Sequence, residues 1–313
     1  MLAFICFSPR IVVVALSRSF ISMNTPKIID SHFHIWASED EAKSFYPYAA
    51  GQTPPQSLRN AATTEKLIDT INAAGVDGAL IVQPINHKFD HSYVSEAIRQ
   101  HPDKFKGMLL HDPSMPKHQA VKTLEDLLLL GFGGVRFNPY LWPKGLDMSS
   151  DEAALAVFHR CAQLNMPVGI MCFQGLHLHY NDILALITSC PDTTCIIDHF
   201  GFTALNPQGD ENFVLLLQLA KFPNVVVKIS ALFRIDQSNE AIRIQRFEPL
   251  LSAFGADRLM FGSDFPFVTE TRDDYIGAVQ IVSEWCNPAA RRAVMGGTAQ
   301  RLFGAWCGGQ ELS

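Results

Sequence analysis

The chain has no run of Lys or Arg and no basic stripe, and its formal net charge is −6. An electrostatic footprint for nucleic acid is therefore missing, and nucleic acid is not expected as a partner. Cysteine is present seven times, an odd number, with no Cys-x-x-Cys pair. This excludes a disulfide framework and points to a reducing compartment. Acid is absent from the first 29 residues, which carry Arg10, Arg18, several serines and the apolar runs LAFICF and IVVVAL. Arg10 separates those runs, so neither is long enough to span a bilayer, and no membrane association is expected. An acid-free, Arg- and Ser-containing leader reads equally as an organelle transit peptide or as a variable extension ahead of Met23. The first reading places the protein in a plastid or mitochondrion, the second in the cytoplasm. Residues 1–26 are accordingly set apart from a domain spanning 27–313.

A Gly-rich phosphate turn is also missing. The first strand runs into SHFHIW, which argues against a doubly wound dinucleotide-binding sheet. What is present is apolar material, 48% of the chain against 18% charged, enough for one large core.

That material repeats in a βα rhythm. Short apolar runs suited to buried parallel strands are KIID (27–30), GALIVQ (78–83), FKGMLL (105–110), GGVRF (133–137), PVGIMC (167–172), TCIID (194–198), NVVVKIS (224–230) and RLMFGS (258–263). Helical patterns lie between them. Leu67, Ile68, Ile71 and Ala74 share one face, with Gly75 as a stop. Ser149 and Glu152 read as a capping box ahead of ALAVFHRCAQL. Leu124 to Leu130 is stopped by Gly131, and Asp273 and Asp274 precede YIGAVQIVSEW. Eight strands alternating with helices predict an α/β fold, a single (β/α)8 TIM barrel. The segment from Trp36 to about Thr63 shows no periodic element and leaves the catalytic end of the first strand, as a lid would.

Catalytic groups of such barrels sit at the C-terminal ends of strands. The first strand ends in Asp30-Ser31-His32-Phe33-His34, with the histidines just past KIID. Two histidines at i and i+2 on extended backbone share a face and can hold a metal or surround one substrate atom. The sixth strand ends in Asp198-His199-Phe200-Gly201 and the eighth in Gly262-Ser263-Asp264-Phe265-Pro266. Three histidines and a carboxylate thus converge on one mouth. Arg136 ends the fourth strand, and the seventh runs through Lys228 and Ser230 to Arg234. Guanidinium forks at a mouth suit a substrate carboxylate. A salt bridge to a neighbouring acid is the competing reading, above all for Arg234. Gln83, Asn86, His87 and Asp90 after the second strand, and Tyr46 and Tyr48 in the long loop, are candidate substrate contacts. His111, Asp112, His177 and His179 are further groups near strand ends.

The segments IIDSHFHIW, GALIVQPINHKFDHSYV, GVRFNPY, CIIDHFG, VVVKISALFR, LMFGSDFP and the closing GGTAQRLFG resemble the amidohydrolase superfamily. The likeness is to its amidohydrolase-related enzymes, which include 2-pyrone-4,6-dicarboxylate lactonase and fuconolactonase-like sugar-lactone lactonases. It implies an ester-bond hydrolase with His32, His34, His199 and Asp264 as catalytic residues, and as the ligands of a metal if one is bound. It further implies that Arg136 and Arg234 hold substrate carboxylate, and Gln83 and Tyr48 are placed with them.

Three positions depart from the pattern. Arg136 stands where two-metal members carry a carboxylated Lys. The fifth strand reads Met171-Cys172-Phe173-Gln174 where many one-metal members have His, and Thr298 replaces the usual Asn of the closing segment. The expected cofactor is accordingly none, or one divalent metal, Zn or Mn. The expected reaction is hydrolysis of a small carboxylated lactone, with Asp264 as general base and the three histidines polarising the carbonyl. The alternative is a metal-dependent non-oxidative decarboxylase of an aromatic or muconate-type acid. Either substrate is a small anion, and the pattern does not choose between a monomer and an oligomer.

Overall fold

The computed structural model describes residues 27–203 and 210–306. The leader, on which the transit reading rests, lies outside the described residues. Eight parallel strands follow in order: β1 (Ile29–Phe33), β2 (Gly78–Val82), β3 (Phe105–Leu110), β4 (Phe132–Phe137), β5 (Val168–Ile170), β6 (Cys195–Ile197), β7 (Val225–Ile229) and β8 (Leu259–Phe261). Helices connect them, so the fold is the expected single (β/α)8 barrel. All eight predicted strands are present at their predicted places. Among the described residues no helix is long and apolar enough to cross a membrane.

The strands read as unbroken apolar runs because both of their faces are covered. Outward residues such as Ala79, Ile81, Val135, Phe137, Val168, Ile170, Val225 and Val227 pack with the helices in the outer core. Inward residues Ile29, Leu80, Val82, Met108, Ile196, Val226 and Met260 form a second cluster inside the barrel. Phe303 and Trp306, from the end of the described chain, close that cluster from below. The approach is tight enough that a Cβ on Gly78 would lie 2.3 Å from Trp306 Cδ1.

Closure between β8 and β1 relies on side chains as well as backbone. Asp264 N donates to His32 O (2.9 Å) and His34 N to Phe265 O (2.8 Å). Asp30 Oδ1 accepts from both His32 N and Ser263 N, each at 3.0 Å. This seam extends β1 to Phe33, three residues past the expected end at Asp30, so His32 lies inside the strand rather than after it.

Two local expectations are corrected. The helix Glu152–Leu164 is capped by Asp151, whose carboxylate accepts from Ala153 N, and not by Ser149. Ser149 is taken up instead, its N–H donating to Asp182 Oδ1 at 2.7 Å. The segment after Trp36 does contain a periodic element, the helix Glu39–Ser44, with a capping box between Ser38 and Glu41. Ala37 N donates to His87 Nε2 (3.1 Å), and Asn86 Nδ2 to Gln52 O (2.7 Å). The segment is thereby pinned to the β2 loop.

Candidate active site

The seam just described aims the first two histidines. His32 and His34 point to one centre, with their Nε2 atoms 3.2 Å apart. His34 Nδ1 lies 2.8 Å from Val82 O. A carbonyl only accepts, so His34 carries its proton on Nδ1 and offers Nε2 as an acceptor. His199 follows β6, with Nδ1 2.8 Å from Ser230 Oγ. Asp264 follows β8. Its Oδ1 is 3.4 Å from His34 Nε2, 3.8 Å from His32 Nε2 and 4.0 Å from His199 Nε2. The four residues singled out from the sequence therefore share one centre. Gly262 makes room for it, since a Cβ there would lie 2.7 Å from His32 Cβ.

Backbone strain is concentrated at the same end of the barrel. His199 (φ 52°), Phe200 (53°), Phe202 (54°), Ala231 (55°) and Asp264 (64°) are all left-handed and follow β6, β7 or β8. An L-residue in that region costs roughly 1–2 kcal/mol. Strain of this kind persists where the surroundings hold it in place, and it gathers at functional sites.

A buried polar layer supports the centre from beneath. Lys228 is fully buried on β7. Its Nζ lies 3.2 Å from His32 Nδ1 and 3.3 Å from Asp198 Oδ1, and Arg136 Nη2 lies 3.2 Å from Asp198 Oδ2. Burial pushes Asp198 up, but Lys228, His32 and Arg136 overcompensate and hold its carboxyl well below the usual range. Burial, reinforced by Lys228, lowers His32 well below the ordinary histidine value. Burial likewise lowers His199, to about 4. Burial pushes Asp264 up too, and His199, His34 and His32 more than reverse it, so the carboxyl sits below its ordinary value. At neutral pH the centre is thus an ionised carboxylate facing neutral imidazoles at His32 and His199.

The arginines serve both expected roles. Arg234 donates to Asp264 Oδ2 through Nε (3.2 Å) and Nη2 (2.9 Å), the salt bridge that competed with substrate recognition. Arg136 pairs with Asp198, while its buried Nε has no partner. Both line a cavity of about 220 Å³ at the strand ends, together with His34, His199, Asp264 and Gln83. Gln83 holds the β2 loop through Nε2 to Lys88 O and Asp90 O, and its Oε1 has no partner. Tyr48 does not line the cavity, contrary to expectation: its hydroxyl donates to Ala37 O within the pinned loop. His87 is a loop histidine, accepting from Ala37 N. A wider groove of about 980 Å³ runs outside the barrel past Ser92–Gln100 and Leu127, and holds none of the converging histidines.

Sequence reasoning noted Lys228 without seeing its role. The signal was a lysine in phase with Val226, hence inward, on an otherwise apolar strand. It also missed the aromatic lining, Trp36, Phe173, Phe202 and Phe267. These come from separate loops and carry no shared pattern.

The donor set fits one metal ion. A tetrahedral ion with ligands at about 2.0–2.2 Å separates its donor atoms by roughly 3.3–3.5 Å. His32, His199 and Asp264 each offer an atom within 4.8 Å of the others. A bridged pair of metals does not fit, because Arg136 stands at the bridging position. The fifth-strand position offers Met171 and Phe173 to the cavity but no imidazole or carboxylate, with Cys172 buried.

Fold and centre together define a hydrolase-type barrel with three histidines and a carboxylate at its mouth. The amidohydrolase family model matches residues 29–305, and the chain belongs to that family. A 4-sulfomuconolactone hydrolase of Rhizobium radiobacter is 27% identical over 303 residues, covering 91% of this chain and 92% of that protein. A Pseudomonas putida structure whose proposed activity is that of a 2-pyrone-4,6-dicarboxylic acid hydrolase superposes with a TM-score of 0.72 at 25% identity, over 90% of this chain and 98% of the other. A Burkholderia multivorans amidohydrolase with bound zinc superposes equally well, with a TM-score of 0.72 at 21% identity over 89% and 99%. At that identity the likeness is one of fold. The motif resemblance is therefore met at the level of the family.

Proposed function

We propose that the protein hydrolyses a small carboxylated lactone. The observation that carries this reading is the division of labour at Asp264. Oδ2 is held by the Arg234 fork, while Oδ1 is turned toward three imidazole Nε2 atoms.

Asp264 Oδ1 accepts a proton from water as the water oxygen bonds to the lactone carbonyl carbon. The same carboxyl then returns the proton to the ring oxygen as the acyl–oxygen bond breaks. A base of this kind contributes roughly 10²–10⁴ in rate. His34 Nε2, an acceptor, is placed to hold the water's other proton. Lys228 has only donors, so at 3.2 Å it leaves His32 Nδ1 as acceptor and puts that imidazole's proton on Nε2. His32, fully buried behind the cavity wall, then presents a donor to the centre, and His199 on the wall is the imidazole that meets the developing oxyanion. Arg136, on the cavity wall and with its buried Nε unpartnered, takes the substrate carboxylate.

A divalent ion, where bound by His32, His199 and Asp264, would supply Lewis-acid polarisation of the carbonyl. It would need the opposite His32 tautomer, with Nδ1–H turned to Asp198, 3.5 Å away. The family relatives named as lactone hydrolases support the reading at the level of reaction class.

The deciding experiment is a panel of carboxylated lactones assayed with and without added divalent metal, with bound metal quantified. Ring opening of at least one lactone, lost in Asp264→Asn, is the expected result. Failure of every lactone, with zinc- or manganese-dependent release of CO₂ from an aromatic or muconate-type acid, would replace this reading with the decarboxylase.

A further inference from the structure

The walls of the cavity say what kind of ring enters it. Resting on the lactonase reading, we infer that the substrate ring is flat and unsaturated and carries a single negative charge, with Phe202 and Phe267 selecting for flatness.

Charge comes first. The cavity wall carries Arg136 and Arg234 against Asp264. In the layer behind, Lys228 and Asp198 cancel at 3.3 Å. One net positive charge remains, and one carboxylate neutralises it. A second anionic group would find no further cation among the described residues of the wall, which is costly where the other charges are already paired. A neutral ring would leave the Arg136 Nε unpartnered, as it is now.

Shape comes second. Phe202 packs on His199 with ring centroids 4.9 Å apart, and Phe267 on His34 at 6.1 Å. Trp36 backs Phe267 at 6.0 Å, and Phe173 meets Phe202 at 6.2 Å. Aromatic walls thus flank the histidines where the reacting carbonyl must sit, and rings favour rings in offset or edge-to-face packing.

Hydrogen-bond supply comes third. A polyhydroxylated ring needs many acceptors and donors, and each amide on this wall already has one end committed to the protein. Gln83 Nε2 holds Lys88 O and Asp90 O, Asn86 Nδ2 holds Gln52 O, and Asn138 Oδ1 accepts from Tyr140 N. Among the described residues Asp264 is the one carboxylate on the wall, and it faces the histidines.

The test is equilibrium binding by calorimetry on the full chain in chelator, so that only the chain's own charges act. The probes do not react: benzoate is flat with one charge, isophthalate flat with two, benzamide flat with none, and cyclohexanecarboxylate puckered with one. Benzoate is expected to bind about tenfold or more tighter than each of the others. Arg136→Met should abolish most of that preference over benzamide. The double variant Phe202→Leu, Phe267→Leu should weaken benzoate by about tenfold while leaving cyclohexanecarboxylate nearly unchanged. Isophthalate binding as tightly as benzoate overturns the single charge, and cyclohexanecarboxylate doing so overturns the flatness. No benzoate binding at millimolar concentration overturns both. Because no probe is turned over, these outcomes are separable from failure of the lactone panel, which bears on the reaction alone.

Discussion

The same strands build two ends of the barrel that could hardly differ more. At the floor, inward positions are Ile29, Leu80, Met108, Ile196, Val226 and Met260, sealed by Phe303 and Trp306. Two residues further along β7 the inward position changes from Val226 to Lys228, and two further along from Ile196 it becomes Asp198. The floor is held by apolar burial that needs no particular partner. The mouth is held by pairs: Lys228 with Asp198 and His32, Arg136 with Asp198, and Arg234 with Asp264. Five left-handed non-glycine residues stand at the mouth after β6 to β8. Strain and buried charge there are offset by the cohesion of the floor, which is the usual arrangement when one end of a fold stabilises and the other reacts. Changes at the mouth should therefore register in turnover and changes at the floor in stability.

Asp264→Asn should give the largest effect. The amide keeps the shape and can still meet Arg234 and the histidines, but it cannot take the proton of water. Turnover should fall by roughly 10²–10⁴, with a native circular dichroism spectrum. A kcat within a few-fold of wild type would mean that Asp264 is not the base.

Phe303→Ala probes the other end. Removing a ring that is 6% exposed in the floor cluster should cost about 3–5 kcal/mol in denaturant unfolding. The kcat of the folded fraction should be unchanged. A parallel loss of kcat would break the division between the ends, since it would mean that the floor transmits to the mouth.

Much of this contrast was legible in the sequence, for a physical reason. Parallel strands buried on both faces leave unbroken apolar runs, so all eight could be found, and residues following such runs must lie at the mouth. His32, His34, His199 and Asp264 were found by that rule alone. Partnership was harder to read. Asp198 and Lys228 lie on different strands, and nothing in TCIID or NVVVKIS says that the two side chains meet. The end of β1 was misjudged because SHF is held by contacts across the closing seam from Asp30 to Ser263, 233 residues away and in no local pattern. Tyr48 was misplaced because the loop after Trp36 folds back on Asn86 and His87, where its hydroxyl meets Ala37 O.

Arg136→Met tests whether a mouth residue can be recognised by its substrate dependence. Methionine keeps most of the apolar stem, leaves Asp198 with Lys228, and removes the unpartnered Nε. Loss of a charge-assisted pair should cost about 1.5–3 kcal/mol, roughly one to two decades of kcat/KM on a carboxylated lactone. A neutral lactone should lose much less. Equal losses on both would make Arg136 a partner of Asp198 only.

The smallest effect on turnover belongs to Asp30, which lies on the boundary between the two ends. It is fully buried, and burial pushes its carboxyl up to about 7 against the hydrogen bonds from Ser263, His32 and Tyr275. In the unfolded chain the same group titrates near 3.8. Between those values the folded state holds a proton that the unfolded state has released, so the native state gains from low pH. That contribution is complete below the unfolded value and is lost as pH rises through about 7, where folding must bury a charge. Asparagine keeps an Oδ1 for the N–H groups of His32 and Ser263 but never ionises. Asp30→Asn should therefore melt close to wild type at about pH 4 and increasingly above it as pH rises from about 4 to about 7, with the gap level at higher pH. A difference that stays flat from about pH 4 to about pH 7, or one that favours wild type at high pH, would show that Asp30 is ionised in the fold, with the seam between β1 and β8 built to hold its charge.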